Sequence, residues 1–156
     1  VRVINANGDL SRFESYGLPV IPDSLPDWPG PLAGILSCLD WLAQSHCECD
    51  LLLSCATDAP FISSDLAFRL LQARTAENAT LAQARSSGRR HPVFGLWPVS
   101  IRQDLRTALI EDGLRKIDDF TDRFSLAIAD FAGHPDPFSN VNEPDDIAAA
   151  EAYFDS

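Results

Sequence analysis

The chain has 156 residues, 46% of them apolar, and 12 lysine and arginine residues stand against 23 aspartate and glutamate residues, for a formal net charge of −11. This length suits one domain with a core of its own. The negative charge excludes a broad non-specific surface for nucleic acid, because such a surface would repel the phosphate backbone. No apolar run approaches the ~20 residues of a membrane span, and no signal peptide is recognised. We therefore expect a cytoplasmic protein with neither a membrane nor a nucleic-acid partner.

Short apolar segments alternate with helical patterns along the chain. Strands are predicted at 1–4, 19–21, 50–55, 80–84, 92–97 and 126–131. Helices are predicted at 32–44, from the capping segment 63–65 to 74, and at 101–111, 115–124 and 144–154. This alternation is typical of a three-layer α/β/α domain, in which helices cover both faces of a mainly parallel sheet.

Two segments carry more specific predictions. Residues 32–44 place leucine and isoleucine at helical spacing, and Pro31 suits the first helical position, where its missing N–H costs nothing. The continuous apolar run at 50–55 predicts an interior strand buried on both faces. The polar region 77–90 is expected to form an exposed hairpin or a loop.

In open α/β sheets, ligands bind beyond the carboxyl ends of the strands. The polar residues that follow predicted strands are therefore the candidates for a site: Asn5, Asn7, Asp23, Asp58, Asn140 and Asn142.

Asp58 follows the most apolar strand, and Pro60 restricts the backbone just beyond it. A carboxylate at the rim of a sheet suits Mg²⁺, which usually takes one or two carboxylates together with phosphate and water oxygens. The alternative interpretation is an aspartate that forms a turn or caps a helix. The pattern alone leaves both open.

The loop Trp28-Pro29-Gly30-Pro31-Leu32-Ala33-Gly34 runs into a helix, whose N-terminus offers free N–H groups to an anion. A plain connecting loop explains the same pattern. Likewise, Asn140 or Asn142 is explained as a cap of the last helix, which leaves the other amide for a ligand.

Basic residues are few in this acidic chain. His91 precedes Pro92 and is either a ligand contact or a structural residue at the start of a strand. The remaining basic candidates are either solvated or contact phosphate: Arg85, Arg89, Arg90, Arg115 and Lys116.

Five motifs occur in a fixed order along almost the whole chain. They are Val3-Ile4-Asn5-Ala6-Asn7, Asp23-Ser24-Leu25 running into Pro29-Gly30-Pro31-Leu32-Ala33-Gly34, Asp58-Ala59-Pro60, His91-Pro92, and Asn140-Val141-Asn142 followed by Pro144 and Asp146. This ordered set resembles the molybdenum cofactor guanylyltransferases, within the Rossmann-like nucleotide-diphospho-sugar transferase fold.

The resemblance implies transfer of GMP from Mg-GTP to molybdopterin, which forms molybdopterin guanine dinucleotide and pyrophosphate. Asp58 would be the catalytic residue, binding Mg²⁺ and through it the nucleotide. Asn5 and Asp23 would contact the guanine nucleotide, and two glycines would shape the loop beside it: Gly30 and Gly34. The molybdopterin side would be formed by two amides: Asn140 and Asn142. The family also implies transient contacts with other molybdenum cofactor proteins.

Two departures from the family pattern matter. The family's Cys-Asp-Thr-Pro is replaced by Thr57-Asp58-Ala59-Pro60, which keeps the carboxylate and the proline. The family's opening strand and its glycine-rich triphosphate loop, with an arginine and a lysine, are not among these residues. We therefore expect one nucleotidyltransferase-like domain over 1–156 that lacks its first strand and phosphate loop and is inactive without them.

Three other functions stay open at this point. The first is a molybdopterin cytidylyltransferase, and the second a nucleotidyltransferase with a sugar phosphate as acceptor. The third is a non-catalytic fragment that binds the cofactor.

Overall fold

A computed structural model describes residues 1–25, 30–45 and 48–154. The chain divides into two compact units, one formed by Val1–Leu52 with Trp97–Phe124 and the other by Leu53–Leu96 with Ser125–Ser156. The strands are β1 (Ile4–Asn5), β2 (Val20–Ile21), β3 (Leu51–Ser54), β4 (Leu81–Ser86), β5 (Arg89–Pro98) and β6 (Leu126–Phe131). The α-helices are α1 (Pro31–Gln44), α2 (Leu66–Ala76), α3 (Arg102–Ile110), α4 (Ile117–Thr121) and α5 (Pro144–Phe154).

The first unit contains a small parallel sheet and helix α1. Strands β1 and β2 pair with Ile4 opposite Val20, and a 3-10 helix at Leu10–Tyr16 connects them. Helix α1 begins at Pro31, as predicted, and its apolar side is buried. Its contact with α3 includes an ion pair, in which Arg106 donates to the buried carboxylate of Asp40 at 2.5 Å.

The larger sheet has four strands in the order β3-β5-β4-β6. Strand β4 pairs antiparallel with β5 and parallel with β6, and α2 packs against β4 and β6. A two-residue turn at Ser87 and Gly88 joins β4 to β5. Both residues have positive φ, 49° and 77°, as a type I′ hairpin turn requires. The hairpin expected in the polar region 77–90 is therefore present, but it is not exposed as a whole, because five of the six residues of β4 are buried.

The predicted interior position of β3 is wrong for the described residues. β3 stands at one end of the strand order, no described strand pairs with its other edge, and all four of its residues are only half-buried. An apolar run indicates that side chains leave water, but it does not say how many neighbouring strands the backbone has.

The α/β class predicted from the sequence is confirmed; the two-stranded sheet is parallel, and the four-stranded sheet is mixed. The single-domain organisation stays a prediction. Within the described residues, none of the helices has both the length and the apolar character that crossing a membrane demands.

Candidate functional site

In the first unit, the predicted residues Asn5 and Asp23 lie in direct contact. The Asn5 amide donates to Oδ1 of Asp23 at 2.9 Å and to the Ile21 carbonyl at 2.9 Å. Asn7 donates to the second carboxylate oxygen at 2.8 Å and accepts from the Asp23 N–H at 2.9 Å. The carboxylate of Asp23 is thus fixed by two amides at the carboxyl ends of two parallel strands.

Gly34 lies against the same cluster. A Cβ built at Gly34 would overlap Oδ1 of Asn5 and lie 2.9 Å from its Cγ. Helix α1 and the end of β1 therefore meet at a distance that only glycine permits.

Gly30 is the residue before α1 and has a φ of 129°, which residues with a side chain rarely adopt. The loop before it, with Trp28 and Pro29, lies outside the described residues.

The hydroxyl of Ser37 joins the segment after β2 to helix α1. Ser37 of α1 accepts from the Ser24 N–H at 2.8 Å and donates to the Ala33 carbonyl at 2.9 Å. The neighbouring Cys38 is buried, and this burial, with a smaller effect of the Asp23 charge, raises the pKa of its thiol to about 11.

In the second unit, Asp58 lies in the turn that follows β3 and is half-buried. Its carbonyl oxygen accepts from the Val141 N–H at 2.7 Å, which fixes the backbone. Its carboxylate makes no hydrogen bond or ion pair with any described residue. Asp58 does not cap a helix either, because α2 begins eight residues later and the residue preceding it is Asp65.

Described residues of the second unit line the two cavities that follow. The first, of about 600 Å³, is lined by Asn140 and Asn142 among other residues. The second, of about 470 Å³, is lined by Asp58, Val141 and the apolar side of α5. The structure thus brings the two asparagines together, and it places Asp58 on the other cavity.

The last helix is capped by an aspartate rather than by an asparagine. Oδ2 of Asp146 accepts from the N–H groups of Asn142 and Glu143, both at 3.1 Å, and these bonds lower the pKa of the Asp146 carboxyl. Within the described residues, neither the Asn140 nor the Asn142 side chain bonds the backbone of α5, so the interpretation as a side-chain cap is wrong, and both residues line the first cavity.

Sequence reasoning missed a hydrogen-bonded network on the wall of the first cavity. The Ser86 hydroxyl lies 2.7 Å from Nε2 of His91 and donates to Oδ1 of Asp136 at 2.9 Å. The same oxygen accepts from the Phe138 N–H at 2.9 Å, and Ser87 donates to Oδ2 at 3.3 Å. Only His91 carried a signal in the sequence, because the other members of the network come from two separate segments, 86–87 and 136–138.

Two residues of the network have shifted pKa values. Burial lowers the pKa of His91, an effect that Asp136 opposes and Arg89 reinforces. Burial of Asp136 would raise its pKa, but the hydrogen bonds from Phe138 and the two serines, with the field of His91, hold it below its usual value. Asp136 is therefore ionised at neutral pH.

The arginines differ in their surroundings. Arg85 forms a bidentate pair with Asp130 at 2.5 and 2.7 Å, and contact of this residue with phosphate stays a prediction. Arg89 and Arg90 line the first cavity. No group of three or more histidine, cysteine, aspartate or glutamate residues that could hold a metal occurs within 1–25, 30–45 and 48–154.

Residues 1–124 match the model of the MobA-like NTP transferase domain. The molybdenum cofactor guanylyltransferase of Rhodopseudomonas palustris (strain BisB5) is 50% identical over 149 residues, which cover 95% of this chain and 71% of that protein. The enzyme of the same name from Nitrobacter hamburgensis is 49% identical over 150 residues, covering 96% and 72%.

A similar fold occurs in the crystal structure of molybdopterin-guanine dinucleotide biosynthesis protein A from Archaeoglobus fulgidus. The TM-score is 0.73 at 21% identity, and the match covers 98% of this chain and 78% of that one. At this identity the likeness concerns the fold alone. On the family match and the two sequence relatives, this chain belongs to the MobA-like NTP transferase family and is a nucleotidyltransferase of the molybdenum cofactor guanylyltransferase type.

Proposed function

We propose that this protein transfers GMP from Mg-GTP to molybdopterin. A phosphate oxygen of molybdopterin attacks the α-phosphorus of GTP, a new P–O bond forms, and the bond to the β-phosphate breaks to release pyrophosphate. The attacking phosphate is already ionised, so no residue has to remove a proton from it. The work of the protein is positioning and charge neutralisation.

Asp58 is the residue proposed to hold Mg²⁺. The supporting observation is its half-buried carboxylate, which has no partner among the described residues and a backbone fixed by Val141. One such carboxylate fits Mg²⁺, because phosphate and water oxygens usually complete its shell. The bound ion would supply neutralisation of the charge that develops on the phosphates.

In the first unit, Asn5 and Asp23 are the residues proposed to contact the guanine nucleotide. A carboxylate oxygen accepts from the N–H groups of a purine edge or from ribose hydroxyls, and an amide both donates and accepts. The mutual hydrogen bonds of Asn5, Asn7 and Asp23 hold these groups in place before a ligand arrives. Gly30 and Gly34 would shape the adjoining loop and helix.

In the second unit, the first cavity is proposed to take molybdopterin, with Asn140 and Asn142 on its wall. A pterin ring presents both donors and acceptors at its edge, and an asparagine amide satisfies both. Arg89 and Arg90 give the same cavity local positive charge in a chain of net charge −11, which suits a phosphate group.

The direct test is the product. The full-length protein is incubated with molybdopterin, Mg²⁺ and one of GTP, CTP or ATP, and the dinucleotide and pyrophosphate are measured by mass spectrometry and a coupled assay. We expect molybdopterin guanine dinucleotide from GTP alone. A dinucleotide from CTP instead would make the protein a cytidylyltransferase, and GMP transfer to a sugar phosphate but not to molybdopterin would replace the proposed acceptor.

A further inference from the structure

We propose that Asp136 and Ser86 are positioning residues that hold His91 with a proton on Nε2, so that Nδ1 is the acceptor offered to an N–H donor of the ligand in the first cavity. The family match assigns no role to any of these three residues. Its ligand half rests on the proposed function, because molybdopterin would be the ligand that supplies the N–H.

The proton on Nε2 follows from the donors and acceptors of the network. Asp136 is ionised and only accepts, and it receives the Phe138 N–H and the Ser86 hydroxyl on Oδ1. A serine hydroxyl has one proton, so Ser86, having given it to Asp136, presents a lone pair to His91. Nε2 of His91, at 2.7 Å, must then be the donor.

The ring of His91 is fixed by packing as well. Its centroid lies 4.7 Å from that of Phe138, and Phe94 meets it edge-on at 6.3 Å. The two aromatic rings also pack on each other, with centroids 4.6 Å apart. His91 lines the cavity, and with Nε2 engaged by Ser86, Nδ1 is the ring nitrogen left for a ligand.

The charges around the ring suit a neutral imidazole. Asp136 lies behind Ser86, while Arg89 is on the same strand and Arg90 lines the same cavity. Burial and Arg89 both favour the uncharged ring, and Asp136 opposes them. A neutral imidazole protonated at Nε2 accepts at Nδ1, and that is the polarity required by the N–H and amino groups of a pterin.

The first experiment needs no ligand. Long-range ¹H–¹⁵N spectra of the full-length protein report which ring nitrogen carries the proton, and loss of a signal in His91→Gln assigns His91. We expect Nε2 protonated and Nδ1 unprotonated at neutral pH, and a mixture of both tautomers in Ser86→Ala. A proton on Nδ1 in the unaltered protein, or a tautomer that Ser86→Ala leaves unchanged, would overturn the positioning role.

The second experiment separates the two ring nitrogens by substitution. The amide of glutamine reaches the position of Nε2 and that of asparagine the position of Nδ1, so His91→Gln keeps the Ser86 contact while His91→Asn keeps a group for the ligand. We expect His91→Gln to raise the KM for molybdopterin roughly 3- to 10-fold, the worth of one hydrogen bond, with kcat and the KM for GTP nearly unchanged. His91→Asn should raise it less.

Different results would overturn the ligand contact of His91 and the positioning roles of Asp136 and Ser86. An unchanged KM for molybdopterin in an active His91→Gln enzyme would overturn the ligand contact. If the unaltered protein makes no product from molybdopterin, the proposed function falls together with this contact, while the tautomer measurement still decides the roles of Asp136 and Ser86.

Discussion

The side-chain amide of Asn5 occupies the space in which a Cβ of residue 34 would stand. Helix α1 carries glycine there, the amide oxygen fills the gap, and the amide nitrogen donates to Asp23. A larger residue at position 34 would therefore displace the Asn5 amide that holds the carboxylate. The orientation of Asp23 thus depends on the close approach of helix and strand.

Gly34→Ala should weaken GTP binding more than it weakens the fold. The new methyl group displaces the exposed Asn5 side chain and costs its hydrogen bonds, about 1 kcal/mol each. Alanine in a helix interior regains about 1 kcal/mol over glycine. The free energy of unfolding should thus change by about 1 kcal/mol or less, while the KM for GTP rises roughly 3- to 10-fold.

A double-mutant cycle provides the control for Gly34→Ala. Once Asn5→Ala has removed the amide, the added methyl group has nothing to displace, so the two effects on the KM for GTP should be strongly non-additive. Full additivity would show that position 34 acts by another route than Asn5.

The elements that could be predicted from the sequence were those whose signals lie in adjacent residues. Helix α1 was predicted to within one residue, because apolar spacing and a proline at the first position are properties of adjacent residues. The hairpin around Ser87 and Gly88 was one of two expected alternatives. The edge position of β3 could not be read, because strand order depends on pairing between distant segments.

The candidate site shows the same division. Asn5 and Asp23 were named from their places after predicted strands, but their contact was not predicted and results from the parallel pairing of β1 and β2. The role of Asp146 was missed: Asn140 or Asn142 was expected to cap α5, but the carboxylate of Asp146 reaches back from the first turn to the N–H groups of Asn142 and Glu143. The hydrogen bond from Ser86 to Asp136 joins residues that are 50 positions apart, so no local sequence pattern predicts it.

The ion pair between α1 and α3 should contribute measurably to stability. Asp40→Asn removes the charge that accepts from Arg106 at 2.5 Å and lies 3.6 Å from Arg102, in a position where Asp40 is only 9% exposed. A hydrogen bond to a charged group at such a place is worth about 2 kcal/mol, so the free energy of unfolding in urea should fall by that amount.

An exposed pair in the same unit provides the matched control. Asp112 accepts from Arg123 at 2.7 Å, and both side chains are 44% exposed. Asp112→Asn should cost less than about 1 kcal/mol, because solvent screens such pairs. Equal losses in the two variants would mean that burial does not strengthen the Asp40 pair.

Cys38 should make the fold sensitive to alkali. Its pKa is raised to about 11 from the ordinary 9.0, first by burial and then by Asp23. Between these values the unfolded chain loses a proton that the folded chain keeps, so stability is intact below pH 9.0 and falls as the pH rises towards 11. Because other groups titrate in this range, the quantity to measure is the difference in the free energy of unfolding between the unaltered protein and Cys38→Ser. As the pH rises from 9.0 towards 11, this difference should shift steadily in favour of Cys38→Ser.

Asp58→Asn should abolish most of the activity without affecting the fold. The substitution keeps the size of the side chain but removes the charge proposed to hold Mg²⁺, and turnover at saturating GTP should fall by ~100-fold or more, as for loss of one electrostatic stabiliser of a transition state. The carboxylate has no partner among the described residues. The free energies of unfolding from thermal melts of the variant and the unaltered protein should therefore agree to within about 0.5 kcal/mol.

Asp65→Asn is the control for Asp58→Asn. Asp65 precedes α2, its side chain makes no capping bond to the helix backbone, and it lies 3.9 Å from Arg69 in an exposed pair. Its loss should cost below about 1 kcal/mol in stability and leave turnover unchanged. A magnesium titration completes the test, since Asp58→Asn should need more Mg²⁺ for half-maximal activity and Asp65→Asn should not. Normal turnover in Asp58→Asn with a lowered melting temperature would make Asp58 a structural residue of the turn after β3 and leave the proposed metal site without its ligand.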